Sequence, residues 1–171
     1  MKEKYAKKTR VIWEALEAVY KGTKGALRFT NPFELLVAVV LSAQTTDKRV
    51  NQITLRLFPA YSTPEKFMAL SQDELENLIK DCGLFRMKAK NLLATSHILV
   101  RDFNQEVPKK MEELIKLPGV GRKSANVILS QAFDIPGFAV DTHVMRVSRR
   151  LGLSKGKAPE AVEKEITKTL I

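Results

Sequence analysis

Cysteine, histidine and long apolar runs are scarce in this sequence. Its 171 residues include one cysteine, Cys82, and two histidines, so it cannot form an internal disulfide, and we predict no zinc or iron–sulfur site within these residues. The longest apolar run, Leu35 to Leu41, is far shorter than the roughly 20 residues that span a bilayer. The N-terminus is charged from Lys2 onward and has no apolar signal region. We therefore expect a cytoplasmic protein without membrane contact.

Acidic residues are also few relative to basic ones. The 29 Lys and Arg residues outnumber 19 Asp and Glu, which gives a formal net charge of +10 and favours a polyanionic partner. Residues 1–24 carry seven basic and three acidic side chains, and residues 141–157 carry five and one. If these segments pack together, they form a basic second lobe, and a groove beside it would suit a phosphate backbone. The alternative is that these helix faces are simply solvated.

Apolar residues recur at helical spacing, and no stretch alternates strictly enough for a strand, so we predict an all-α fold. Helix starts are indicated at Asn31-Pro32 and Thr63-Pro64, and Ser71 with Glu74 is typical of a capping box. Gly83 and Gly152 are predicted to end helices. We predict about ten helices, near residues 5–21, 32–43, 46–58, 64–69, 72–82, 86–103, 109–116, 122–133, 142–151 and 159–170.

The segment LPGVGRK, residues 117–123, is the most informative in the chain. Gly119 and Gly121 allow positive φ, so a short hairpin can turn with its N–H groups outward at the start of the next helix. The helix dipole adds positive potential there, which suits a phosphate. Leu117 and Val120 would pack the two helices together. The segment therefore predicts a helix–hairpin–helix.

Three segments together resemble one family. LPGVGRKSA (117–125), AVDTH (139–143) and LSAQTTD (41–47) are similar in order and spacing to endonuclease III, of the helix–hairpin–helix glycosylase superfamily. The resemblance implies a two-lobed helical fold with the active site in the groove between the lobes. Residues 25–135 would form a central six-helix bundle, with the helix–hairpin–helix at about 109–133. Residues 1–24 and 136–171 would form the second lobe.

The resemblance also implies a base excision repair DNA glycosylase with AP lyase activity. It would remove oxidised pyrimidines from damaged duplex DNA, act as a monomer and lie with the chromosome in a bacterial or archaeal cytoplasm. Lys123 is implied as the nucleophile that forms a Schiff base, and Asp141 as the catalytic carboxylate. A lysine that attacks C1′ must be neutral. The helix dipole and Arg122 would disfavour protonation at this position, whereas a charged Asp141 nearby would favour it, and the sequence leaves the balance open. From the residues alone, Lys123 could instead neutralise a phosphate, and Asp141 could simply be a helix N-cap.

DNA contacts are implied for a further group of residues. Gln44 would fill the space left by the extruded nucleotide, and Leu84 would be an apolar wedge in the opposite strand; from pattern alone, Leu84 could pack under the next helix. Arg86, Lys88 and Lys90 could contact phosphates. The hairpin would bind the backbone through Leu117, Gly119, Val120, Gly121 and Arg122.

Members of this family usually carry a [4Fe–4S] cluster on four cysteines spaced C-x6-C-x2-C-x5-C. The present sequence ends at Ile171 without them, so we expect no cofactor in these residues and a cluster only if the natural protein continues.

Two alternative functions remain. A monofunctional mismatch glycosylase is disfavoured by Lys123 and Gln44, and a non-catalytic helix–hairpin–helix DNA-binding module is disfavoured by Asp141.

Overall fold

The computed structural model describes residues 2–23 and 25–170, with side chains described for residues 9–23 and 25–168. These residues contain ten helices and no strand, which confirms the all-α prediction. None of the helices is both long and apolar enough, over the described residues, to cross a membrane. The helices are α1 Lys2–Tyr20, α2 Pro32–Ser42, α3 Asp47–Leu57, α4 Pro64–Met68, α5 Gln72–Ile79, α6 Phe85–Asp102, α7 Met111–Leu114, α8 Arg122–Phe133, α9 Thr142–Leu151 and α10 Pro159–Leu170.

The chain divides into two compact units, one of residues 25–135 and one of residues 1–24 with 136–171. The first unit contains seven helical segments, α2 to α8, against the six-helix bundle of the sequence prediction. The shortest two, α4 and α7, have five and four residues. Within this unit α2 packs against α3, α6 and α8, and α6 also packs against α4 and α5.

Helix α2 is the centre of the larger unit because its sequence, PFELLVAVVLS, is apolar on every side. All residues from Phe33 to Leu41 are buried, including Glu34. A helix of this kind is stable only when other elements surround it. Glu34 is accommodated because its Oε2 accepts hydrogen bonds from the Thr30 N–H at 2.6 Å and the Thr30 hydroxyl at 2.8 Å.

Local signals place most helix ends where the sequence predicts them. Asn31, Thr63 and Ser71 each accept a backbone N–H as N-cap residues, and Ser71 with Glu74 forms the complete capping box. Gly152 ends α9 with a φ of +71°. The prediction for Gly83 is wrong, because α5 ends at Ile79 and Gly83 is not among the residues with positive φ.

The smaller unit has its own apolar core of Val140, Leu153, Val162 and Ile166. Helix α10 packs against α1 and α9. The loop between α9 and α10 is held by Glu165, whose Oε2 accepts from the Ser154 hydroxyl at 2.7 Å and the Lys155 N–H at 2.8 Å. The hydrogen bond from the Ser154 hydroxyl, followed by that from the Lys155 N–H, lowers the pKa of Glu165 below its ordinary value.

Replacing Glu165 with Gln should destabilise the protein at pH 7 by less than about 1 kcal/mol, since the carboxylate is exposed and water screens its interactions. A lowered pKa in the folded state means that this stabilisation is present above the unfolded pKa and is lost as the pH falls through the folded pKa. The difference in melting temperature between wild type and Glu165→Gln should therefore shrink on acidification. Glu14→Gln, on the exposed surface of α1, is the control. A difference that grows toward low pH would contradict this prediction.

Candidate active site

The predicted hairpin joins α7 to α8. The side chains of Leu117 and Val120 are buried in the core of the larger unit, and the Val120 N–H donates to the Leu117 carbonyl at 3.0 Å. The buried Thr95 hydroxyl donates to the Pro118 carbonyl at 3.1 Å, which fixes the turn against α6. Any contact of Leu117 or Val120 with a ligand would therefore involve the backbone rather than the side chain.

The two hairpin glycines differ in their backbone conformation. Gly119 has a φ of +82°, and a Cβ there would lie 3.1 Å from the Asn91 Nδ2 atom. Gly121 has a φ of −90° and is the N-cap of α8, so the expectation of positive φ is wrong for this glycine. A Cβ at Gly121 would meet nothing within 4 Å. Gly119 is thus required by the fold, whereas Gly121 leaves open space at the start of α8.

Lys123 lies in the first turn of α8 and lines a pocket of about 380 Å³ in the larger unit. It is exposed, and it lies on one face of α8 with Val127 and Gln131, since residues four apart align on a helix. The opposite wall comes from the end of α2 and the start of α3. The lining residues are Ala26, Leu27, Val39, Ser42, Ala43, Gln44, Asp47, Lys123, Ser124, Val127 and Gln131.

The pocket brings together two of the residues singled out in the sequence, Lys123 and Gln44. It also adds Asp47, Ser42 and Gln131, for which the sequence predicts no place in the active site. Asp47 stands three residues after Gln44, within the LSAQTTD segment, so its place in that motif was the available signal. A larger cavity of about 460 Å³ near Pro32 and Phe133 contains none of the predicted site residues.

Gln44 and Leu84 lie in two turns with the same unusual backbone conformation. Gln44 has a φ of +55° and Leu84 a φ of +59°, the left-handed region that non-glycine residues rarely adopt. Both are exposed, and Leu84 leaves 59% of its surface accessible. A Cβ added to Gly83 would lie 3.5 Å from the Gln44 carbonyl oxygen, so the two turns are adjacent.

Lys88 does not lie on the surface, as a contact to phosphates would require. It is only 4% exposed. Its ammonium donates to the carbonyls of Leu41 at 2.9 Å and Ala43 at 2.6 Å, at the end of α2. This sequence prediction is wrong because the start of α6 packs against the end of α2.

Asp141 lies in the smaller unit and is the N-cap of α9. Its Oδ1 accepts from the Val144 N–H at 2.8 Å, and the residue is half-buried. The capping role that the sequence left open is therefore present. Capping fixes the direction of the carboxylate.

The residues present do not fit an iron–sulfur cluster. No group of three or more His, Cys, Asp or Glu side chains in the described part of the chain could hold a metal ion. The single cysteine, Cys82, is buried, and its thiol donates to the Leu41 carbonyl in α2.

Comparison with known proteins gives the class to which this arrangement belongs. Residues 37–170 match the HhH-GPD superfamily of base excision DNA repair proteins. Endonuclease III of Rickettsia felis is 50% identical over 155 residues, which cover 91% of this chain and 73% of that protein. A solved non-covalent endonuclease III–DNA complex superposes with a TM-score of 0.91 at 45% identity, covering 97% of this chain and 78% of that one.

A second solved structure, a trapped endonuclease III–DNA covalent intermediate, superposes with a TM-score of 0.89 at 45% identity, covering 96% of this chain and 78% of that chain. The chain belongs to the endonuclease III family. This membership confirms the predicted class of function, a base excision repair DNA glycosylase and AP lyase.

The two hairpin glycines should respond differently to alanine. Gly119→Ala should destabilise the protein by about 1–3 kcal/mol, because alanine is strained at positive φ and its Cβ crowds Asn91. Gly121→Ala should cost less than about 1 kcal/mol, since its φ is accessible and its surroundings are open. Urea unfolding measures both. Equal losses in the free energy of unfolding for the two variants would contradict a hairpin in which Gly119 alone has positive φ.

Proposed function

We propose that this chain excises oxidised pyrimidines from duplex DNA and cleaves the resulting abasic site through a Schiff base on Lys123. The observation that carries the proposal is the pocket in which Lys123, at the start of the hairpin's second helix, faces Gln44. Membership of the endonuclease III family supports the reaction class. A chromosomal substrate also supports a cytoplasmic location.

Lys123 is the proposed nucleophile. Its amine donates an electron pair to C1′ of the damaged nucleotide, and the bond from C1′ to the base breaks, so that the base leaves with a proton. Opening of the sugar gives an iminium between Nζ and C1′. Loss of a proton from C2′ then expels the 3′ phosphate by β-elimination. Water finally releases the amine from the cleaved product.

Asp141 is the proposed second catalytic residue. A carboxylate can stabilise the positive charge that develops on the sugar, or accept a proton in support of the nucleophile. The hydrogen bond from the Val144 N–H holds it in one orientation. A preorganised charge of this kind is more effective than one that must reorient during the reaction.

Gln44 and Leu84 are the proposed intercalating residues. A base inside a duplex is inaccessible to a nucleophile, so the nucleotide must leave the stack before reaction. We expect Gln44 to occupy the vacated space, and its position beside the pocket that contains Lys123 supports this role. Leu84 supplies an exposed apolar side chain that can enter between bases of the other strand.

The hairpin is the proposed phosphate site. The backbone N–H groups at the start of α8 carry the positive end of the helix dipole. The space beside Gly121 lets a phosphate approach the backbone closely, because no Cβ intervenes. Arg122 adds a positive charge in the first turn. The contacts are thus expected from Gly119, Gly121 and Arg122 and from the backbone of Leu117 and Val120.

Borohydride reduction tests the role of Lys123. The wild-type protein, incubated with duplex DNA that carries an abasic site and then reduced, should give a covalent adduct, because reduction makes the iminium permanent. Lys123→Ala should give none. Lys116→Ala removes a charge from the other side of the hairpin and should retain the adduct. A wild-type protein without an adduct, but with duplex binding that weakens with salt, would indicate a non-catalytic DNA-binding module instead.

Asp141 can be tested separately for capping and for catalysis. Asn caps helices as well as Asp does, so Asp141→Asn should keep its melting temperature and its affinity for a duplex with a tetrahydrofuran abasic analogue. Base release should nevertheless slow by about 100-fold or more. Asp141→Ala is the control for loss of the cap and should cost about 1 kcal/mol of stability. Normal base release by Asp141→Asn would exclude the catalytic role.

A further inference from the structure

The two turns that carry Gln44 and Leu84 share one buried cation. The Lys88 ammonium lies 2.9 Å from the Leu41 carbonyl, 2.6 Å from the Ala43 carbonyl, 3.1 Å from the Thr45 hydroxyl and 3.0 Å from the Cys82 sulfur. An ammonium has three N–H donors, so its full donor capacity can be used here. Three of these partners lie within three residues of Gln44, and the fourth, Cys82, is the residue two positions before Leu84.

Further bonds close this arrangement into a network. The Cys82 thiol donates to the Leu41 carbonyl at 3.2 Å, and the Thr45 hydroxyl lies 3.2 Å from the Cys82 sulfur. The Lys88 N–H also donates to the Leu84 carbonyl at 3.1 Å, the first backbone bond of α6. One residue is therefore bonded to both turns, through its side chain on one side and its backbone on the other.

A structural need explains part of this network. Helix α2 is buried up to Leu41, whereas Ser42 is half-buried and Ala43 is exposed. The last carbonyls of a helix have no partner within it. A cation is a favourable partner for them, because the helix C-terminus carries negative potential. Burial of a lysine is costly unless its donors are satisfied. None of the ion pairs in the described residues includes Lys88, so carbonyl, hydroxyl and sulfur acceptors provide that compensation.

We propose that Lys88 is a positioning residue for base extrusion, which holds the Gln44 turn and the Leu84 turn in one fixed arrangement so that both side chains enter the duplex together. The proposal rests on the intercalating roles proposed above for Gln44 and Leu84. Lys88 is buried and is not among the residues that line the pocket of Lys123, so its effect is expected on extrusion and not on the attack by the amine. Extrusion of the nucleotide from the duplex therefore depends on a side chain that does not itself contact DNA.

Comparison of two DNA substrates separates these effects. Lys88→Met has a side chain of similar length without the donors, and Lys66→Met removes one positive charge from an exposed position on α4. Each variant is trapped with borohydride on an abasic site in a duplex and on the same strand alone, where no extrusion is needed. Lys88→Met should lose roughly 10-fold to 100-fold in duplex trapping rate and keep the single-strand rate. Lys66→Met should keep both rates.

A second readout does not depend on the chemistry. 2-Aminopurine opposite a tetrahydrofuran abasic analogue becomes fluorescent when it unstacks, so its signal at saturating protein reports insertion of the two side chains. Lys88→Met should lose this signal. Thr45→Val, which removes one acceptor and keeps its shape, should give a smaller loss in both readouts and serves if Lys88→Met does not fold. Circular dichroism melting monitors the fold of each variant.

The outcomes are distinct for the two proposals. An equal loss on duplex and single-stranded DNA, or an unchanged duplex rate and fluorescence signal, would overturn the role of Lys88. Absence of an adduct for the wild type would instead refute the Schiff base on Lys123, while the fluorescence arm would still decide the role of Lys88. Absence of fluorescence for the wild type would refute the intercalating roles and the positioning role together.

Discussion

Complete burial of helix α2 is the constraint on which the larger unit depends. Its residues from Phe33 to Leu41 have no solvent-facing side, and each large apolar side chain removed from water contributes about 1.5–3 kcal/mol. The helix must therefore be enclosed by α3, α6 and α8. Enclosure also fixes where its end lies. The turn after it, with Gln44, meets the first turn of α8, with Lys123, and the pocket forms between them.

The same burial creates a polar requirement at the C-terminal end of α2. Leu41 is fully buried, and an unsatisfied carbonyl at such a position costs about 1–3 kcal/mol. Lys88 meets that requirement from α6, 47 residues beyond Leu41 in the chain. The Lys88 side chain thus provides a hydrogen-bond partner at the end of the buried helix and also holds the two proposed intercalating turns together. A change that weakens one weakens the other.

Features set by neighbouring residues could be predicted from the sequence, and features set by distant contacts could not. The caps at Asn31, Thr63 and Ser71 are local hydrogen bonds, so their residue types reveal them. The end of α5 is different, because Cys82 turns inward to the Leu41 carbonyl and the chain leaves the helix before the glycine. The burial of Lys88 could not be predicted either, because its partners Leu41 and Ala43 are distant in the sequence. The roles of Lys123 and Asp141 came from the resemblance, since local pattern alone allows a phosphate contact and a helix cap.

Both turns contain a strained residue, since Gln44 and Leu84 are two of the five non-glycine residues with positive φ in the described chain. A non-glycine residue in the left-handed region costs about 1–2 kcal/mol, and glycine at Gln44 or Leu84 would avoid that cost. Leu84 is the one apolar residue among the non-glycine positions of positive φ in the described chain, and most of its side chain is exposed. Neither folding nor solubility favours an exposed, strained leucine. Strain of this kind persists where the surroundings hold it and the side chain is needed. The Lys88 network supplies the first condition, and the proposed insertion into the base stack would supply the second.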